Sequence, residues 1–351
     1  MSKPRAARRE RVTKRMAKAS RPSEASREVS EETVLSLYRL MLLMRRFEES
    51  LYRKYREGKI GGYLHRYDGQ EALVAGIVPL LRKGDYLLCT YRDHGHALAA
   101  GTSPRAVMAE LMGRVTGCAG GKGGSMHLID PDRGFLGGDG IVGGPVPVAL
   151  GVGYALKYRN TGNVCACYFG DGAMNQGGVH EALNMAALYK VPVLFVLENN
   201  GYAMGTSVDR STAQTELYRK AEAHGVAAHR MDGMDVLAVR EAVEAIIERM
   251  RKTGEPYFLE MMTYRFVGHG VADNPQQQRF YRSQEEIEDW KQRDPILNIC
   301  KHIQARGLLP AEEAGRIDRE IQEIIDDAIA FAEASPEPPL DSLYEHVFSH
   351  P

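Results

Sequence analysis

Asp171 and Asn200 stand just beyond two apolar runs, in the strings Gly170-Asp171-Gly172 and Glu198-Asn199-Asn200-Gly201-Tyr202. The runs, residues 164–169 and 191–197, have the length and composition of buried strands. Twenty-six residues, 173–198, separate Gly172 from Asn199, enough for one helix and one strand of a right-handed crossover. Open parallel sheets take ligands at the carboxyl ends of their strands, so Asp171 and Asn200 are expected to converge there. A carboxylate and a carboxamide are hard oxygen ligands. They suit magnesium, which completes its octahedron with phosphate oxygens and water, and the backbone carbonyl of Tyr202 is a natural third ligand. Singly, each string reads as a turn. The chemistry lies in the pairing.

The elements that must position these strings are legible around them. Val34, Leu35, Leu37, Tyr38, Leu40, Met41 and Met44 recur at helical spacing and predict a helix from about residue 31. Residues 70–81 predict a second helix, ended by Lys83-Gly84-Asp85, and residues 85–91 a short strand. Strand 164–169, helix 177–189 and strand 191–197 follow, then helix 236–251 and strand 257–266. The strands lack in/out alternation, as expected when both faces of a parallel sheet are covered. The fold class is therefore α/β, a doubly wound, mainly parallel sheet with helical segments at its N- and C-terminal ends. Residues 31–351 form this domain, and residues 1–30 are expected to be a basic disordered arm.

With 351 residues, 44% hydrophobic and 26% charged, the chain is neither a small disulfide scaffold nor globally disordered. The 45 basic and 46 acidic side chains nearly cancel, which argues against a general affinity for nucleic acid or a membrane surface. Residues 1–22 depart from this balance, with nine Lys or Arg against the single acid Glu10. A targeting or nucleic-acid arm is the functional alternative, but the segment has no aromatic for stacking and reads as a solvated tail. It also lacks the apolar core of a secretory signal. The five cysteines form no zinc-spaced CxxC pair and are expected to be reduced. No transmembrane segment is expected, since the longest apolar stretch, residues 140–156, is broken by Pro145, Pro147 and five glycines.

Residues 113–144 hold twelve glycines, a density expected where backbone amides close on a ligand without a Cβ in the way. Gly138, Gly140 and Gly143 satisfy GxGxxG, the basis of an alternative reading as an NAD-dependent oxidoreductase. No convincing strand precedes them, and no acid stands about twenty residues on, so that reading is weak. Gly121-Lys122 fails as a P-loop because Gly123 replaces the required Ser or Thr.

The paired strings, GDG and NN with twenty-six residues between, resemble the fingerprint of thiamine-diphosphate-dependent enzymes. Five further blocks extend the likeness in order: His65-Arg66-Tyr67-Asp68-Gly69-Gln70-Glu71, Tyr91-Arg92-Asp93-His94-Gly95, Gly121-Lys122-Gly123-Gly124-Ser125-Met126-His127, Gly140-Ile141-Val142-Gly143, and Tyr264-Arg265 leading to Gly268-His269. From about Leu37 to the segment at 335–340, the chain resembles the α subunits of heterotetrameric 2-oxo-acid dehydrogenase decarboxylating components, most of all those acting on pyruvate. The resemblance implies a thiamine diphosphate-binding fold, with thiamine diphosphate and magnesium as cofactors and Asp171, Asn200 and Tyr202 as metal ligands. It assigns Tyr91 and Arg92 to the diphosphate, where the guanidinium offers a charged fork of donors. It assigns Gly140 and Val142 to the aminopyrimidine, and Gly172 and Ala173 to the start of a helix whose positive end faces the diphosphate. His65 and His269 resemble the active-site histidines, His269 also contacting cofactor, and His94, His96 and His127 compete for those roles. Glu71, tempting as the carboxylate that activates the pyrimidine, sits at a helix start and reads as structural.

The implied reaction is decarboxylation of a small 2-oxo acid and transfer of the acyl unit to the lipoyl group of a partner dihydrolipoyl acyltransferase. Acetoin and branched-chain 2-oxo acids are the alternative substrates. The resemblance implies that the pyrimidine-side glutamate comes from a β subunit in an α2β2 assembly, and the single recognisable α/β unit of cofactor-domain size agrees with that division. The small residues Ala149, Gly151, Gly153 and Ala155 serve either a subunit interface or packing within the chain. Gly270 and Phe280 stand where mammalian-type members carry regulatory serines, and Ser207 remains. These features imply a bacterial-type cytoplasmic enzyme, with a mitochondrial or plastid matrix as the alternative.

Overall fold

Six parallel strands form one sheet: β1 (Tyr86–Thr90), β2 (Phe135–Asp139), β3 (Cys165–Gly170), β4 (Val193–Asn199), β7 (Ala227–Asp232) and β8 (Tyr257–Met262), ordered β2-β1-β3-β4-β8-β7. Two further strands, β5 (Tyr202–Ala203) and β6 (Thr206–Ser207), make a small antiparallel hairpin just beyond β4. The computed structural model describes residues 29–345 and 347, so the basic arm, apart from Val29 and Ser30, lies outside the described residues.

The continuous apolar character of the inner strands follows from burial on both faces. Ala166, Tyr168, Leu194 and Val196 point into one core with the helices Glu31–Arg56, Glu71–Ile77 and Val236–Thr253. Cys165, Cys167, Phe169, Val193, Phe195 and Leu197 point into the other, with the helices Pro145–Tyr158 and Gly177–Tyr189. The chain is therefore doubly wound, as its alternation predicts. Helix starts follow local chemistry: Ser30 caps the first long helix by accepting from the Thr33 N–H, and Asp235 accepts from those of Leu237 and Ala238.

The strand order reverses at β1, whose neighbours β2 and β3 both follow it in sequence and lie on opposite sides. That switch opens a crevice at the strands' carboxyl ends, where ligands of such sheets bind. β2 departs from the sequence reading, which found no convincing strand there. With it in place, Gly138 lies inside a strand, and the missing acid about twenty residues on remains the sequence argument against a dinucleotide site. All five cysteines are free. Among the described residues, no helix is long and apolar enough to cross a membrane.

The helix Pro145–Tyr158 divides its small residues between two faces. Ala149 is buried, and a Cβ at Gly153 would press on Val193 of β4, so these two pack against the chain's own sheet. The opposite face presents Val148, Tyr154 and Tyr158 to solvent, continued by Leu188 of the neighbouring helix. The outward surface thus combines exposed Gly151 and half-buried Ala155 with apolar and aromatic side chains.

Candidate active site

Four loops meet at the carboxyl ends of β2, β1, β3 and β4. They carry Gly140 and Val142, Tyr91 and Arg92, Asp171 to Ala173, and Asn200 to Tyr202. The register pairs Gly170 with Glu198, so Asp171 and the Asn199-Asn200 pair leave the sheet side by side. Burial pushes the Asp171 carboxyl up to about 6, against the lowering pull of Arg265 and of the nearby Asn200 backbone N–H, which itself donates to the Glu198 carbonyl at 3.1 Å. Asn200 is oriented by Gln70, whose carbonyl oxygen accepts from Asn200 Nδ2 at 3.0 Å. This fixes Asn200 Oδ1 as the free-facing oxygen, with only the Tyr202 N–H nearby at 3.3 Å. Asn199 instead serves the scaffold, donating to Glu260 at 2.6 Å and accepting from the Gly201 N–H.

Gly172 and Ala173 do not open a long helix. They lie in a single 3-10 turn, Asp171–Asn175, and the α-helix begins only at Gly177 after an extended Gln176. The expectation of a helix dipole at these two residues is therefore corrected; what remains is the set of backbone donors of a short turn. Gly172 is required by close packing, since a Cβ there would stand 2.5 Å from the Ala203 Cβ in the β5–β6 hairpin.

Rings gather on the β1 side. His65 lies 4.4 Å from Tyr91 and 5.0 Å from His269 between centroids, and Tyr91 lies 5.7 Å from His269. The segments bearing the two histidines run alongside each other, joined by Val271 N–H to Leu64 O and Phe266 N–H to Asp68 O, each at 3.0 Å. Arg92 clamps them from below, donating to the carbonyls of Arg66 and His269. Burial, followed by the nearby positive charge of Arg92, pushes both His65 and His269 down to about 2, so both rings are neutral at pH 7. His65 Nδ1 is buried with no hydrogen-bond partner.

The rival histidines are accounted for differently. His94 is wholly buried between Glu48, at 3.0 Å from Nδ1, and Ser125, at 3.2 Å from Nε2. Burial opposes its charge, yet Glu48 and Asp93 together raise its pKa. His96 is held by the Arg92 carbonyl and faces Tyr168 inside the core. His127 is exposed beside the site: a Cβ at Gly140 would stand 3.4 Å from its imidazole. Glu71 is structural, taking two bonds from Arg45 and one from the Gly69 N–H.

Arg265 belongs to the site although sequence reasoning gave it no role. It is 1% exposed, donates to the carbonyls of Tyr202 and Met204 at 3.3 Å, and leaves Nη1 without a partner. Burial and then the charges of Arg92 and Arg282 push it down to about 10. Arg265 thus stands near enough to Arg92 for each charge to oppose the other, and near enough to Asp171 to favour its carboxylate form. Its only sequence signal is its place in Tyr264-Arg265, a few residues before His269.

The glycine-dense stretch closes largely on its own chain. The Glu110 carboxylate accepts from four of its amides, Asp93 accepts from Leu128 N–H at 2.9 Å, and a Cβ at Gly138 would overlap Asp93. The expectation that these glycines wrap a ligand holds at most for their last few residues, Gly140 to Gly143, beyond β2, where Ile141 and Val142 face solvent.

Fold and site together define a crevice at the carboxyl edge of a parallel sheet, with Asp171, Asn200 and Arg92 at the strand ends and neutral histidines beside them. The dehydrogenase E1 component family matches residues 38–341, and the chain belongs to that family. It is 45% identical over 320 residues to the pyruvate dehydrogenase E1 component subunit alpha of Rickettsia bellii, covering 91% of this chain and 97% of that one. The subunit of the same name from Rhizobium meliloti is 45% identical over 321 residues, 91% of each chain. The chloroplastic subunit alpha-3 of Oryza sativa is 42% identical over 343 residues, 95% of this chain and 80% of that one.

Proposed function

We propose that the chain is the α subunit of a pyruvate dehydrogenase decarboxylating component, working with thiamine diphosphate and magnesium. The observation that carries this reading is the convergence of Asp171, Asn200, Arg92 and the His65–Tyr91–His269 cluster on one crevice of a family member. The residues fit the cofactor. Arg265 has an unpartnered buried N–H donor, and Asn200 has an oriented oxygen beside a carboxylate.

Asp171, Asn200 Oδ1 and the Tyr202 carbonyl would hold magnesium, the last after release from Arg265. Tyr91, Arg92, Gly172 and Ala173, with Arg265, would hold the diphosphate, and Gly140 and Val142 the aminopyrimidine. The bound cofactor supplies the electron sink for the pair released when a 2-oxo acid loses carbon dioxide. The chain's own part is to place the substrate and handle protons. His65 and His269, neutral at pH 7, each offer one nitrogen that donates and one that accepts. A substrate carboxylate or carbonyl oxygen beside them can thus receive a hydrogen bond without a full charge being buried.

The outward apolar face of Val148, Tyr154, Tyr158 and Leu188 supports a partner subunit. That partner, in an α2β2 assembly, supplies the pyrimidine-side glutamate, and the acyl unit passes to a lipoyl-bearing dihydrolipoyl acyltransferase. The bacterial relatives favour a cytoplasmic setting over a mitochondrial or plastid matrix. Steady-state assay of the reconstituted pair tests the substrate: kcat/KM should be highest for pyruvate. Preference for 2-oxoisovalerate or acetoin would move the assignment to a branched-chain or acetoin-cleaving relative.

A further inference from the structure

The loop of residues 117–124 is moulded on a single side chain. Glu110, at the end of the helix Pro104–Leu111, is completely buried. One of its carboxylate oxygens accepts from the N–H groups of Ala119 and Gly121 at 2.7 and 2.8 Å. The other accepts from those of Gly123 and Gly124 at 2.6 and 3.2 Å. A Cβ at Gly117 would overlap this carboxylate, so the loop passes it with no room to spare. Backbone amides converging on one point form a concavity selective for anions. Here the anion is part of the chain.

The loop reaches the active site through its continuation. Ser125 bonds to His94, Leu128 N–H is held by Asp93, and the His127 imidazole between them lies against Gly140. On its outer side, Lys122 donates to the Ser342 carbonyl at 2.5 Å, which ties the same loop to the C-terminal segment. Gly123 also abuts the His127 backbone, where an added Cβ would overlap the His127 carbonyl oxygen, so the amides that close on Glu110 pack directly against the residue beside Gly140.

We propose that Glu110 is a positioning residue for the pyrimidine side of the cofactor: its carboxylate occupies the amide concavity as a built-in anion and thereby sets where His127 and Gly140 stand. This rests on the reading of Gly140 as a pyrimidine contact. No other side chain substitutes well. Glutamine presents one oxygen and one NH2, so two of the four loop amides would face a donor, and aspartate is one methylene too short.

The test uses the enzyme reconstituted with its β subunit. Glu110→Gln should raise the half-saturating thiamine diphosphate concentration by about ten-fold or more, the scale of one or two lost buried hydrogen bonds. Its kcat at saturating cofactor should fall by a smaller factor, and tryptic cleavage after Lys122 should accelerate. Glu110→Ala empties the concavity, and added formate or acetate should restore both its cofactor affinity and its resistance at Lys122, with no such gain in wild type. Should neither variant fold, Gly117→Ala, whose Cβ presses on the carboxylate and on the Glu110 backbone, should likewise weaken cofactor binding and speed cleavage at Lys122, and unchanged values of both would overturn the proposal. Unchanged cleavage at Lys122, or no anion rescue, would overturn the built-in anion. Faster cleavage that anions reverse, with cofactor titration unmoved, would overturn the positioning role and place the fault in the reading of Gly140.

Discussion

The imidazole of His65 meets that of His269 edge-on, 5.0 Å between centroids, though β1, β2, β3, β4, β7 and β8 all lie between the two residues in sequence. Arg92 joins their segments by donating to the Arg66 and His269 carbonyls, while burial first and then the charge of Arg92 keep both rings neutral. Their neutrality has a consequence for stability as well as chemistry.

Both histidines sit at about 2 in the folded chain, against roughly 6.5 for free histidine. Between these values the unfolded state binds more protons, so stability is present in full above about pH 6.5 and is lost as pH falls. His65→Asn removes one such group. The stability of wild type relative to the variant should fall by up to about 1.4 kcal/mol per pH unit below pH 6. Denaturant melts of both proteins at pH 7 and pH 5 measure this. The same substitution should lower kcat on pyruvate by about 10² or more, the usual worth of a positioned acid or base.

Asp171→Ala should abolish magnesium-dependent binding of thiamine diphosphate. The change removes the only carboxylate among the three proposed ligands and leaves Arg265 and Arg92 facing the diphosphate without the cation's geometry. Calorimetric titration of the reconstituted enzymes reads it. Tight NAD binding by wild type with no binding of thiamine diphosphate would instead favour a dinucleotide site at Gly138 to Gly143.

Gly270 stands against the Tyr63 ring, which also lies 4.8 Å from His65, and a Cβ at 270 would overlap that ring. A serine there cannot be accommodated while Tyr63 keeps its place. Gly270→Ser should therefore lower kcat/KM for pyruvate by about ten-fold or more, given an overpacking cost of about 1–3 kcal/mol. Adding Tyr63→Ala to Gly270→Ser should recover part of the loss. A double variant no better than Gly270→Ser would show that the two residues act independently.

Leu188 is 69% exposed on the outward face it shares with Tyr154 and Tyr158. Leu188→Arg should leave the melting temperature of the isolated chain within a few degrees and weaken association with the β subunit. Sedimentation of the mixed subunits measures the second effect. Undiminished assembly would put the partner on another surface.

What the sequence made legible follows from where its signals are local. The strands β3 and β4 and the helix between them were readable because unbroken apolar runs meet sharp turn residues, and Asp171 and Asn200 followed from that spacing. β2 was not, because Gly137 and Gly138 place no side chain to signal a strand. Nor was β7, an edge strand of Ala, His and Arg that is only half-buried. Arg265 and Glu110 escaped for a different reason. Their meaning lies in burial and in partners far along the chain, the Tyr202 carbonyl for one and four loop amides for the other. A residue's type alone does not announce such partners.

The most direct test of the account is carbon dioxide release from pyruvate by the purified chain with magnesium and thiamine diphosphate, measured with and without a β subunit. Among the described residues there is one parallel sheet, of six strands, with the residues proposed to hold the diphosphate at its carboxyl edge. Acid-base assistance at the pyrimidine is worth about 10²–10⁴ for a single positioned group, and the proposed source of that group is the partner subunit. The predicted result is no measurable turnover by the chain alone and restored turnover on adding the β subunit. Full turnover by the chain alone would contradict the assignment and require the pyrimidine-activating carboxylate to lie within these 351 residues.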